Sequence, residues 1–212
     1  MKNNRGKFIV IEGLDGCGGE TQSNLLIDFF LKNNIACQKI SYPDYEGPIG
    51  QLIDKFLHNQ YDFSPNAQVL LYFADFLKDK ENIEKWLKEG KIVVADRYLT
   101  STLAYQGLKN VSVDSVLNLA GMFNLPKPDL ILYLKISAAI SADRKYKEKG
   151  NLDRHEADNK FLENLSKFYL DLIDKKIFSD WQVIDGEKGI TEVFDEIKSI
   201  LSSKLNINQN NG

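Results

Sequence analysis

The sequence predicts a doubly wound α/β domain: a parallel five-stranded sheet with helices on both faces. Three observations predict it. Short apolar runs alternate along the chain with longer segments of helical periodicity. The runs are continuously apolar rather than alternating, as strands covered on both faces are. A glycine-rich turn follows the first run directly and leads into the first helical segment, where open α/β sheets receive phosphates.

Phe8-Ile9-Val10-Ile11 reads as the first strand, and the segment 19–33 after the glycine turn as a helix. Cys37 to Tyr42 is a weaker strand candidate. Helices fit 48–58 and one long stretch, 65–89. Ile92-Val93-Val94-Ala95 is the next strand, and a helix fits 112–124. Leu130-Ile131-Leu132-Tyr133-Leu134 is a further strand, followed by a helix over 137–147. Phe161, Leu162, Leu165, Phe168, Tyr169, Leu172 and Ile173 repeat at three- and four-residue spacing, the signature of one buried helix face. Trp181-Gln182-Val183-Ile184 is a short strand. Ile190, Val193, Phe194, Ile197, Ile200 and Leu201 mark the last helix. No repeat or linker divides the chain, so we expect one domain over residues 1–205 and a frayed polar tail over 206–212.

A length of 212 residues suits one such domain with a substantial core. A formal charge of −3 gives no broad basic field and argues against nucleic-acid binding as the main role. Cys17 and Cys37 are too few for a disulfide framework or a zinc site, and His58 and His155 match no metal-ligand spacing. No signal peptide or membrane span is visible, so the expected location is the cytoplasm.

The turn after the first strand reads Glu12-Gly13-Leu14-Asp15-Gly16-Cys17-Gly18-Gly19-Glu20-Thr21-Gln22. Glycines at 13, 16, 18 and 19 let the backbone aim its N–H groups into one concavity, and the helix behind adds its positive end. The usual phosphate loop runs Gly, four residues, Gly, Lys, then Ser or Thr. Gly13 and Gly18 keep that spacing, but Gly19 stands at the lysine position and Glu20 at the magnesium-ligand position. Taken alone, this turn is equally a ligand-free strand-to-helix connection.

A second segment, Ala95-Asp96-Arg97-Tyr98-Leu99-Thr100-Ser101-Thr102-Leu103-Ala104-Tyr105-Gln106-Gly107, falls at the carboxyl end of a core strand, where open sheets bind ligands. There Asp96 could hold Mg²⁺ through water, and the forked donors of Arg97 could grip a phosphate. The segment closely resembles the thymidylate kinase family, with its Asp-Arg-Tyr, Ser and Ala-Tyr-Gln in order. Glu12 to Gly16 matches the family's first loop. Tyr42-Pro43-Asp44-Tyr45 with Ile49-Gly50, Leu70 to Asp75, Leu125 to Leu130 and Asp153-Arg154-His155-Glu156 follow the same order, so the resemblance runs from about residue 7 to 200.

The resemblance implies a P-loop nucleoside-monophosphate kinase that moves the ATP γ-phosphoryl group to dTMP, giving dTDP, with Mg²⁺ as cofactor and a homodimer as the assembly. It implies Asp96, Arg97 and Arg154 as catalytic residues. ATP would be held by Gly13, Gly16, Gly18, Gly19, Glu20, Thr21 and Arg144, and the metal by Asp96 and Glu20. The acceptor would meet Asp15 at its 3′-hydroxyl, Arg97 at its phosphate, and Tyr42, Pro43, Tyr45 and Gln106. Tyr105 would crowd the sugar's 2′ position, and Tyr72 would lie against the base; the alternative for Tyr72, as for the other aromatics, is a place in the core.

Three departures stand out. Gly19 and Glu20 remove one positive charge and add one negative charge beside the donor phosphates, where catalysis is mostly positioning and charge stabilisation. Phe76 stands where the family commonly has an arginine that helps read thymine. Compensation is available in the expected LID, about 144–156, which carries Arg144, Lys145, Lys147, Lys149 and Arg154. Bacterial-type members place a catalytic arginine there when the P-loop, as with Gly16 here, has none. Two alternatives follow from the departures: a nucleotide-binding homologue with weak or no catalysis, and a kinase for another pyrimidine deoxynucleotide.

Overall fold

The computed structural model describes residues 5–149 and 159–207. Five strands are present in the described residues: β1 (Phe8–Gly13), β2 (Cys37–Ser41), β3 (Ile92–Asp96), β4 (Leu130–Lys135) and β5 (Trp181–Asp185). They form one sheet in the order β2-β3-β1-β4-β5, every pair parallel. The predicted fold class is therefore the observed one. β1 lies at the centre and is buried throughout, which explains why its apolar run is continuous. The chain fills one side of β1 with β2 and β3, then crosses to β4 and β5 on the other. That reversal opens a crevice beyond the carboxyl ends of β1 and β3.

The helices are α1 (Gly19–Lys32), α2 (Pro48–Leu57), α3 (Pro65–Leu77), α4 (Lys80–Lys88), α5 (Leu99–Gly107), α6 (Val113–Met122), α7 (Ala138–Lys149), α8 (Asn159–Asp174) and α9 (Ile190–Leu205). Alternation along β1 sends Phe8 and Glu12 to one face, where Phe8 meets Tyr98 edge-on at 5.2 Å and Glu12 meets Tyr169 of α8. α1 packs on β1, β2 and β3 and against α9, while α5 packs with α3 and α8.

Two expectations need correction. The single helix over 65–89 is two helices, α3 and α4, broken at Lys78 and Asp79. The Lys78 ammonium ion-pairs with Asp44, Asp75 and Asp79, and the Tyr42 hydroxyl donates to Asp79 at 3.1 Å. These contacts tie the break to the loop after β2. The second correction is α5, for which no helix was expected. Leu99, Thr100, Thr102, Leu103, Ala104 and Gln106 are all buried, so the helix is covered on nearly every side and carries no amphipathic stripe. The weak strand β2 owes its place to pairing with β3 in register Cys37↔Ile92 to Ser41↔Asp96.

Candidate active site

The cleft at the switch point has a volume of about 840 Å³ and is lined by the glycine loop, the end of β3, the first turns of α5, and parts of α3, α7 and the turn after β5. Leu14 O accepts from Cys17 N at 3.0 Å, closing the loop before α1 begins at Gly19. The open N-terminal N–H groups of α1 thus face the cleft. Gly16 has φ of +74°, and a Cβ there would meet Arg144 Cβ and Ser141 O, each at 3.2 Å. Only glycine fits, because α7 docks directly on the loop. Ser141 Oγ donates to Asp15 O at 2.6 Å. The Arg144 guanidinium bridges Gly16 O and Gly186 O, each at 3.1 Å, joining the loop to the turn after β5. Burial pushes the Cys17 thiol up to about 12, so it stays protonated and is no nucleophile at neutral pH.

Arg97 follows β3 with φ of +65°, a left-handed conformation that a non-glycine residue adopts only when its surroundings enforce it. The enforcement comes from Glu12, the one acid in β1. Its Oε1 accepts from Tyr98 N (3.1 Å), Thr100 Oγ1 (2.6 Å) and Ser101 N (3.0 Å). Its Oε2 accepts from Ser101 Oγ (2.6 Å) and Tyr169 OH (3.0 Å). The buried carboxylate thereby holds the turn on either side of Arg97 and the start of α5. Burial raises its proton affinity, while the nearby Arg97 charge and the hydroxyl donors pull it back down. Arg97 Nη1 donates to Ser101 Oγ at 3.2 Å, and Nη2 donates to Asp15 Oδ1 at 2.6 Å. Tyr105 OH donates to the other Asp15 oxygen at 2.9 Å. Arg97, Asp15 and Tyr105 are therefore one bonded unit.

Asp96 ends β3 beside the loop: a Cβ on Gly19 would lie 2.7 Å from its Oδ1. The carboxylate thus occupies the space through which a lysine at position 19 would leave the backbone. Burial raises the Asp96 carboxyl above its ordinary value; Arg97 and Lys39 lower it, and Glu20 and Asp15 raise it. Glu20 and Thr21 are exposed at the rim. Asp96, Glu20 and the Thr21 hydroxyl are hard oxygen groups. Mg²⁺ is typically held by one or two carboxylates together with substrate phosphates, so this donor set fits it.

Of the sequence-predicted residues, Gly13, Asp15, Gly16, Gly18, Gly19, Glu20, Thr21, Tyr42, Pro43, Tyr45, Tyr72, Asp96, Arg97, Tyr105, Gln106 and Arg144 all line the cleft. Tyr42 offers only part of its ring, since it is buried against Phe76 at 4.9 Å and its hydroxyl is committed to Asp79. Arg154, with Asp153, His155 and Glu156, lies outside the described residues. Lys147 is exposed and paired with Asp143 at 2.7 Å, consistent with a solvated helix face. Sequence reasoning assigned no role to Glu12, Ser101 or Tyr169. Glu12 did leave a signal, because an acid inside an otherwise apolar central strand must find donors when buried.

The thymidylate kinase family model matches residues 11–197. A thymidylate kinase of Thermosipho africanus is 36% identical over 203 residues, covering 93% of this chain and 98% of that protein. The human thymidylate kinase is 30% identical over 200 residues, covering 93% of this chain and 91% of its own. Among solved structures, thymidylate kinase from Candida albicans superposes with a TM-score of 0.75 at 27% identity, covering 96% of each chain. The match takes in the glycine loop, the Asp96–Arg97 turn and strands β2 to β5, and this chain belongs to the thymidylate kinase family.

Proposed function

We propose that the chain transfers the γ-phosphoryl group of ATP to dTMP, giving dTDP, and that it does so despite the missing P-loop lysine. The observation that carries this reading is Arg97, set in a left-handed turn at the end of β3 and bonded to both Asp15 and Ser101. A guanidinium so held presents its remaining donors to an acceptor phosphate without first paying for its own ordering. Asp15, braced by Tyr105, receives the sugar's 3′-hydroxyl, and Tyr105 narrows the space at the 2′ position. Tyr42, Pro43, Tyr45, Tyr72 and Gln106 form the remaining acceptor wall.

An acceptor phosphate oxygen attacks the γ-phosphorus in line; the bond from that phosphorus to the β–γ bridging oxygen breaks, and ADP leaves. The residues from Gly13 to Thr21 and the start of α1 cradle the donor. Asp96 and Glu20 would hold Mg²⁺, which when bound spreads charge over the transferred group. Arg144 sits against the loop at Gly16, and Lys145 lines the cleft beside it. These two, with Arg154 from the LID, replace the lysine's charge in our reading.

ADP release with Mg·ATP and dTMP tests the function, and absence of turnover overturns it. Arg154→Ala should lower kcat by roughly 10²-fold, in the range for loss of one charge-stabilising donor; full turnover in that variant removes Arg154 from the mechanism.

No helix among the described residues is long and apolar enough to cross a membrane. A cytoplasmic location, a single domain with a LID over about 144–156, and a homodimer belong to the same proposal. Leu70, Met122 and Phe123 are exposed, and Phe123 lies 5.7 Å from Phe73, which joins α3 and α6 in one apolar surface suited to a second copy. Sedimentation equilibrium measures that assembly.

A further inference from the structure

We propose that Tyr169 of α8 is a positioning residue for phosphate recognition: its hydroxyl fixes Ser101, and through Ser101 it sets the Arg97 guanidinium for the acceptor phosphate. The inference rests on the acceptor placement proposed above. It adds a helix that, among the described residues, contributes nothing to the cleft wall itself.

Three oxygens meet behind Arg97. Ser101 Oγ lies 2.6 Å from Glu12 Oε2 and 3.1 Å from Tyr169 OH, and Tyr169 OH lies 3.0 Å from the same carboxylate oxygen. The two hydroxyls bring one proton each, and the carboxylate brings none. Burial and the neighbouring Glu12 charge raise the Tyr169 phenol well above its ordinary titration range, so it keeps its proton and remains a donor. That proton points at Glu12 Oε2 and Ser101 Oγ. The short Ser101–Glu12 contact takes the serine's own proton, which leaves the serine's lone pairs to accept from Arg97 Nη1 at 3.2 Å. Removing the phenol opens the triangle: the carboxylate loses a donor, and the serine loses the neighbour that confines its rotation.

The phenol is delivered by a firmly docked helix. α8 buries Leu162, Leu165, Tyr169 and Leu172. The Tyr169 ring centre lies 4.9 Å from that of Tyr133 on β4, and neighbouring Phe168 packs so closely on Gly107 at the end of α5 that a Cβ there would not fit. The same helix reaches the other arm of the guanidinium. Phe161, in its first turn, lies 6.1 Å from the ring of Tyr105, whose hydroxyl holds Asp15, the partner of Arg97 Nη2. Both arms are thus braced from α8. Arg97 depends on such bracing, because its φ of +65° is kept only by its surroundings.

A tyrosine that served packing alone would not distinguish a ligand with a phosphate from one without. Titration calorimetry with dTMP and with thymidine, which share base and sugar, therefore separates the two roles. Tyr169→Phe keeps the ring and removes the hydroxyl. We expect its Kd for dTMP to rise about tenfold, the range for one hydrogen bond to a charged group, and its Kd for thymidine to stay within about twofold. An unchanged Kd for dTMP, or equal losses for both ligands, overturns this proposal and leaves the kinase reading standing. Tight binding of dTMP without turnover overturns the kinase reading alone, and a wild-type chain that binds no dTMP overturns both. In an Arg97→Gly background the hydroxyl has no guanidinium to position, so adding Tyr169→Phe should weaken dTMP by less than about twofold; a further tenfold loss overturns the route through Arg97. Ser101→Ala provides the independent check, since it leaves the Tyr169–Glu12 bond and removes only the oxygen between Tyr169 and Nη1. It should weaken dTMP at least as much as Tyr169→Phe and again spare thymidine, and an unweakened dTMP complex in this variant overturns the proposal.

Discussion

Around Arg97 the cleft is finished before any ligand arrives, whereas around Gly19 it is left open. On the first side one buried carboxylate, Glu12, accepts five hydrogen bonds from Tyr98, Thr100, Ser101 and Tyr169. Ser101 and Asp15 then hold the guanidinium. On the second side the loop offers backbone N–H groups and a space filled by Asp96 Oδ1 instead of an ammonium. The half we assign to the acceptor is preorganised by side chains. The half we assign to the donor presents, among the described residues, backbone N–H groups, the Asp96 and Glu20 carboxylates, and Arg144 and Lys145 of α7. Preorganised charge does not have to reorganise during reaction, so losses should be steepest on the Arg97 side.

The comparison can be broken most directly at Arg97. Arg97→Gly removes the guanidinium while suiting φ of +65°, so the fold should survive and kcat/KM for dTMP should fall by roughly 10³-fold. A loss under tenfold would mean that the rigid side is not the catalytic one. Next, Glu12→Gln replaces an acceptor-only group with one that turns a donor toward existing donors. We expect a loss of about 3 kcal/mol in urea unfolding, together with a raised KM for dTMP. Unchanged stability would remove Glu12 as the anchor of the Arg97 turn.

On the open side, Gly19→Lys restores the usual loop residue yet should not raise kcat. Its Cβ would lie 2.7 Å from Asp96 Oδ1, forcing that carboxylate to turn, and such displacements cost up to roughly 10²-fold. Faster turnover in this variant would show that the loop still awaits its lysine. The smallest effect concerns pH. Burial raises the Asp96 carboxyl, so its proton leaves at a higher pH than from an ordinary aspartate, and activity that needs the carboxylate falls as pH drops through that value. Lys39 works in the opposite direction, favouring the ionised form. Lys39→Met should therefore move the acid limb of the kcat/KM profile to higher pH, and an unmoved limb removes Lys39 from the site's electrostatics.

The central strands were legible because burial on both faces demands continuous apolar runs, and Phe8 to Ile11 and Leu130 to Leu134 have nothing else in them. The residues along the cleft were legible because phosphate chemistry uses few solutions, namely glycines where backbone must approach and an arginine where a forked donor is needed. α5 was not legible: a helix buried on nearly all sides has no polar stripe to set its period. The split between α3 and α4 was hidden for another reason, since it depends on Lys78 meeting Asp44 and on Tyr42 meeting Asp79. Those partners are distant in sequence.

The sequence by itself thus determined the fold class, the family resemblance, the loop with its missing lysine, and the Asp96–Arg97 turn, because local propensity, burial pattern and motif spacing are written in consecutive residues. Tertiary structure decided that Glu12 governs the Arg97 turn, that Asp96 stands against Gly19, and that Arg144 clasps the loop. Each of these depends on side chains brought together by strand order and helix docking, and the energy of a buried polar group is set by the partners that only the folded chain supplies.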